Sequence, residues 1–237
     1  MIRTLLGTKL WIEQNQSQAF NLDTILLADF VRIPKKTKHI LDFGTGAGAL
    51  MLYLSQKSAA KITGIEIQHK RYEQSLKNIE LNHLENQLVC LNKDIRTLDI
   101  SAIDMIVSNP PFFKVNTNQR VSQNEEDLIA RHEVMLTLED LIKTVSKTLK
   151  FGGHFFMIHR PDRFQEMSDL MSLHKLVIKR VRFVHPYLHE KANHVLIEAT
   201  KEGNYGLKIE PPLILYEDKH VLSEEMKNIY GGRSYVT

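Results

Sequence analysis

The chain has 237 residues, 43% of them hydrophobic and 25% charged, with a formal net charge of +3 at pH 7. That is the balance of a soluble globular protein long enough to bury a sizeable core. Cys90 is the only cysteine, so an intrachain disulfide is excluded and a reducing compartment is implied. No apolar run reaches the length of a membrane span and no secretory leader pattern opens the chain, so a cytoplasmic protein is expected.

In chain order, "LDTILLADFV" reads as an apolar helix preceding the first strand. "HILDF" (39–43) is a short apolar run that ends in glycines, a strand by its length. "ALMLYLSQK" follows with helical spacing, and "KITGIEI" (61–67) is a second strand. In "YEQSLKNIELN", Tyr72, Leu76 and Ile79 fall at i, i+4 and i+7, which predicts one buried helix face. "QLVCL" (87–91) and "IDMIVS" (103–108) are a third and a fourth strand. "TLEDLIKTVSKTLKFGG" predicts a helix capped by Thr137 and ended by Gly152 and Gly153. "HFFMIHR" is a fifth strand, Pro161-Asp162 opens another helix, and "KLVIKRVRFV" and "HVLIEAT" are two more strands. Strands alternating with helices at this pitch imply a parallel sheet covered on both faces, with ligands outside the carboxyl ends of the strands. Residues 114–135 are polar and without an apolar period, the pattern of a lid or a disordered stretch.

The stretch "LDFGTGAGAL" places Gly44, Gly46 and Gly48 directly after the first strand. Glycines there allow a sharp turn and close approach of a ligand, and the string fits the dinucleotide pattern G-x-G-x-x-A. Glu66 ends the second strand, where an acid can hold both hydroxyls of a ribose. So far, a nicotinamide dinucleotide and S-adenosylmethionine are served equally. Asp42 ahead of the glycines, where a dehydrogenase loop usually has an apolar residue, and Asp94 after the third strand, placed to accept from an adenine amine, favour the methyl donor.

The fourth strand runs into "NPPFF". Pro110 and Pro111 fix φ and remove two donors, and they force Asn109 into an extended conformation. The Asn109 side-chain oxygen and the neighbouring carbonyls then form a stiff set of acceptors suited to a planar amino group. Phe112 offers a face on which a base can stack.

Together "LDFGTGAGAL", "GIEIQ", "NKDI" and "SNPPFF" resemble the class I S-adenosylmethionine-dependent methyltransferases that act on amino groups. "QAFNLDTILLADFV", "ARHEVMLTLEDLI", "VRFVHPYLHEKANHVLIEATK" and "PPLILYE" narrow the resemblance to bacterial tRNA1(Val) adenine-37 N6-methyltransferases. The family often has tyrosine where this chain has Phe112.

The resemblance implies an α/β, Rossmann-like class I methyltransferase fold, with a seven-stranded, mostly parallel sheet and helices on both faces. It implies a single domain: a capping segment 1–36, a core 37–200 and an extension 201–237. Asp42, Gly44, Thr45, Gly46, Gly48, Glu66, Ile67, Asp94, Ile95 and Asn109 carry over as cofactor contacts, and Phe20 and Asp23 match a segment near the methionine end of the cofactor. Asn109, Pro110, Pro111 and Phe112 carry over as the target-amine site, while Arg131, Arg182 and Lys191 are expected phosphate contacts. The basic run "PKKTK" and Lys175, Lys179 and Arg180 join them as available cations. A tRNA partner, a monomer, no metal and no membrane are expected. Two other readings stay open: an amino or amide methyltransferase acting on ribosomal guanine N2 or a release-factor glutamine, and a non-catalytic RNA-binding module on the same fold.

Overall fold

The computed structural model describes residues 2–13, 22–110 and 136–231. Its core is a nine-stranded sheet. The seven expected strands are β3 (His39–Phe43), β4 (Lys61–Glu66), β5 (Leu88–Asn92), β6 (Ile103–Ser108), β7 (Leu149–His159), β8 (Leu176–His185) and β9 (His194–Lys201). Two two-residue strands from the C-terminal extension, β10 (Lys208–Ile209) and β11 (Leu213–Ile214), add to the outer edge of β8. The order is β5-β4-β3-β6-β7-β9-β8, and β9 alone runs antiparallel.

Side chains alternate across the sheet with the period of two that a pleated strand imposes. Ile40, Ile62, Met105, Val107 and Phe156 face one way, against α1 (Leu22–Phe30) and α2 (Ala49–Ser55). Leu41, Phe43, Ile65, Ile106, Phe155 and Met157 face the other, against α4 (Leu138–Thr148) and α5 (Phe164–Leu173). Thr137 caps α4 as expected, in a reciprocal pair with Asp140. The helix stops at Thr148 rather than at the glycines. Gly152, at φ 71°, lies instead within β7 where the register against β6 shifts. A strand needs a residue tolerant of positive φ to absorb such a bulge.

A second departure is α3 (His69–Leu81), on which Leu76 is exposed while Ser75 and Asn78 are fully buried. The reason is a hairpin that the sequence did not announce, β1 (Ile2–Thr4) and β2 (Trp11–Glu13), paired antiparallel. Its outer edge packs against the amide side chains of α3. The C-terminal extension ends in β12 (Tyr216–Asp218), β13 (Val221–Leu222) and α6 (Glu224–Tyr230), whose Met226 and Ile229 join the first core face. Among the described residues no helix is long and apolar enough to cross a membrane.

The topology also separates the basic residues expected to act together. The "PKKTK" run immediately precedes β3, and Lys175 precedes β8, so both lie at the amino edge of the sheet. Lys179 donates to the Asn204 carbonyl near the same end. Arg180 is buried: its guanidinium stacks on Phe30 at 3.7 Å, donates to the Phe30 carbonyl and pairs with Glu198 and Glu210. Arg182 donates to both carboxylate oxygens of Glu225 and to the Pro211 carbonyl, which fastens the extension to β8. These bonds give Arg182 a structural role. Arg180→Ala should cost about 3–5 kcal/mol in urea denaturation, because it strands Glu198 and the Phe30 carbonyl. The half-exposed Arg182–Glu225 pair should cost clearly less when cut by Arg182→Ala.

Candidate active site

Strand order reverses between β3 and β6, and two functional segments emerge there side by side. From β3 the chain turns through Gly44, Gly46 and Gly48 at φ 76°, 58° and 84°, conformations that L side chains rarely adopt. The turn is held by Gly44 and Thr45 N–H donating to the Ile65 carbonyl. Among the described residues, a Cβ at Gly44 would meet nothing within 4 Å.

Beneath the turn lie three buried polar side chains: Asp42, Thr45 and Glu66. Glu66 accepts from Gly46 N–H at 2.9 Å and from Gln68 N–H at 2.8 Å. The Thr45 hydroxyl donates to Asp42 at 2.6 Å. Burial pushes the Asp42 carboxyl up to about 7, against the Thr45 hydrogen bond that favours the charged form; the neighbouring Glu66 charge adds to the rise. Ile67 follows with its side chain exposed at the same edge.

Asp94 follows β5, where the sequence put it, and its side chain has a partner there. It caps the short turn Ile95–Thr97 through Arg96 N–H, and the Arg96 side chain engages both of its carboxylate oxygens. That guanidinium holds the Asp94 carboxyl below its ordinary range. An adenine amine would therefore compete with Arg96 for the acceptor. Ile95 beside it is buried.

On the other side of the reversal, Ser108 ends β6 and donates to the Phe43 carbonyl, tying the two segments together. Asn109 follows, half-buried, and its Nδ2 donates to the Thr24 hydroxyl at 3.2 Å. This uses one N–H of the carboxamide and leaves Oδ1 as an acceptor. Pro110 is buried. Asp23, the neighbour of Thr24 in the first turn of α1, is also buried and pairs with His194 Nε2 at 3.0 Å. The sequence drew no attention to Thr24 or His194, which come near the site through the packing of α1 across β7 and β9. Arg71 was missed as well; its Nε is buried without a hydrogen-bond partner among the described residues, and its guanidinium lies beside Gly46. Phe20, Pro111, Phe112, Arg131 and the 114–135 stretch lie outside the described residues. Lys191 is exposed in the turn between β8 and β9, at the same edge as Asn109. Burial pushes the Cys90 thiol up to about 11, which removes it as a nucleophile near neutral pH.

A parallel sheet with one reversed strand, a glycine turn after β3 and an acid after β4 defines the class of Rossmann-like methyltransferases. Solved structures agree on the fold. A predicted O-methyltransferase of Agrobacterium tumefaciens superposes with a TM-score of 0.71 at 21% identity, covering 90% of this chain and 97% of its own. The Pyrococcus horikoshii TYW2 complex with MeSAdo gives 0.58 at 15% identity, covering 82% and 69%. Residues 20–184 match the family model described as the methyltransferase small domain, and the chain belongs to that family. Among its relatives is the tRNA1(Val) (adenine(37)-N6)-methyltransferase of Porphyromonas gingivalis, 31% identical over 168 residues. That alignment takes in 68% of this chain and 65% of the relative's length. The protein of the same name from Christiangramia forsetii is 28% identical over 213 residues, 87% of each.

The Asp42 environment predicts a pH dependence. An unfolded aspartate ionises near about 4, whereas the folded one holds its proton until about 7. Its contribution to stability is complete below the unfolded value and is lost as pH rises through 7. Asp42→Asn should therefore melt higher than the wild type at pH 8, and the margin should shrink towards pH 5 in thermal denaturation without ligand.

Proposed function

We propose that this protein is an S-adenosylmethionine-dependent methyltransferase of the N6 amino group of adenine in tRNA, with adenine 37 of the anticodon loop as its target. The observation that carries the reading is the Asn109 carboxamide. It stands at the strand reversal, its Nδ2 engaged by Thr24 and its Oδ1 left to accept, one strand away from the glycine turn. The two relatives described above bear that name, and their length and identity support it.

The residues fit the cofactor. Bare backbone at Gly44 leaves room for a ligand against the turn. Glu66, buried and already ordered by two N–H groups, keeps lone pairs for ribose hydroxyls. Two acids beneath the turn suit a ligand with a sulfonium and an ammonium. When bound, the cofactor supplies an electrophilic methyl group.

Asn109 Oδ1 and the carbonyls of Asn109 and Pro110 accept from the exocyclic amine. Doing so draws its lone pair out of conjugation and aims it, so that orientation rather than a strong base provides the rate. Phe112 takes the stacking role, since the target base must leave its own stack to reach this edge. The exposed Arg160 after β7 and Lys191 between β8 and β9 lie at the same edge and are among the cations available to phosphates. A cytoplasmic location goes with such a substrate.

The experiment is methyl transfer to unmodified tRNA followed by nucleoside analysis. N6-methyladenosine at position 37 is expected; methylated guanine, or transfer only to a release factor, would replace the proposal with another amino or amide methyltransferase. Asn109→Ala should lower turnover by about a hundredfold or more, with cofactor affinity nearly intact. Thr24→Val, which keeps shape but lacks the acceptor, should lower kcat with little change in KM for tRNA, and Thr24→Ser should restore it. Arg160→Ala with Lys191→Ala should raise the apparent KM for tRNA and flatten its salt dependence, whereas Arg182→Ala should leave that slope unchanged.

A further inference from the structure

Helix α3 carries Gln74 and Asn78 and is capped at its C-terminus by Asn82, at spacings of four. Asn82 accepts from Trp11 N–H and donates to the Trp11 carbonyl, each at 2.7 Å. One turn earlier, Asn78 accepts from Glu13 N–H at 2.7 Å and donates to the Glu13 carbonyl at 3.1 Å. Gln74 adds a donor to that same carbonyl at 2.9 Å. Each asparagine thus exchanges the two hydrogen bonds that a neighbouring strand would exchange with β2. The match is metric: four helix residues rise about 6 Å, and two strand residues advance roughly 6.7 Å. The helix satisfies a strand edge that would otherwise stay unpaired.

Asn78 does one thing more. Its Nδ2 also donates to the Ala47 carbonyl at 2.8 Å, inside the glycine turn, and the residue is wholly buried. One carboxamide therefore joins three elements: α3, the hairpin strand that leads towards α1, and the backbone on which the cofactor would rest. Ala47 sits between Gly46 and Gly48, both at positive φ. Glycines leave such a turn many alternatives, and each one that remains open must be given up on binding.

We infer that Asn78 is a positioning residue for the cofactor site, holding the glycine turn in its binding shape and linking that shape to the docking of the β1–β2 hairpin. This rests on the methyl-donor reading of the site. The linkage is reciprocal: whatever orders the turn also holds the hairpin against α3. Asn82, which touches the hairpin but not the turn, serves as the internal control.

The test is calorimetric titration of the full-length protein with S-adenosylhomocysteine, beside hydrogen exchange of the wild type with and without that ligand. Asn78→Asp is nearly isosteric and keeps an acceptor for Glu13 N–H, but it can donate neither to Ala47 nor to the Glu13 carbonyl, a bond that Gln74 still makes. It should weaken binding on the order of tenfold, the worth of one buried hydrogen bond. Asn82→Ala should melt lower yet bind within about twofold of the wild type, since a lost hairpin contact of this size does not reach the turn. In the wild type, saturating ligand should slow exchange of the Glu13 amide. Unchanged affinity in Asn78→Asp, equal weakening in both variants, or no change in Glu13 exchange would each overturn the inference. Failure of the wild type to bind S-adenosylhomocysteine would overturn the cofactor reading itself, and this inference with it.

Discussion

The site depends on one constraint of parallel sheets, the reversal of strand order between β3 and β6. Right-handed crossovers carry β4 and β5 outward on one side of β3, and the return to β6 leaves a crevice where the two directions part. Both chemistry-bearing turns leave the sheet at that crevice. The bond from Ser108 to the Phe43 carbonyl keeps them in register. Neither the glycine turn nor Asn109 makes that crevice alone; the pairing of β3 with β6, strands far apart in the chain, does.

Around the crevice, polar groups are buried in numbers that a hydrophobic core would not tolerate without partners. Asp42, Thr45 and Glu66 satisfy one another and the turn, and α3 lends its amides to the hairpin. Burying acids near each other is costly, and the displaced titration of Asp42 is the sign of that cost.

Charge is likewise sorted by topology. Arg180 and Arg182 serve the interior and the extension, and the lysines ahead of β3 and β8 decorate the edge remote from Asn109. The small positive net charge therefore says little about the partner. Exposed cations also stand at the carboxyl edge, among them Arg160 just after β7 and Lys191 between β8 and β9.

The sequence by itself determined the strands, the glycine turn, Glu66 and the Asn-Pro-Pro motif, because each is written in contiguous residues whose local preferences agree: apolar runs, positive-φ glycines, prolines that fix φ. It misjudged three features, and each error has the same origin. Ile79 of the expected helical stripe is buried, yet Leu76 is exposed and the amide face is buried as well, because a distant hairpin needs its strand edge paired. Gly152 and Gly153 look like a helix stop, but the register of β6 against β7 requires the bulge there. Arg182 reads as a surface cation until the extension folds back with Glu225. Contacts between distant segments set which polar groups must be satisfied and by whom. No local pattern encodes that, and only the tertiary structure decided it.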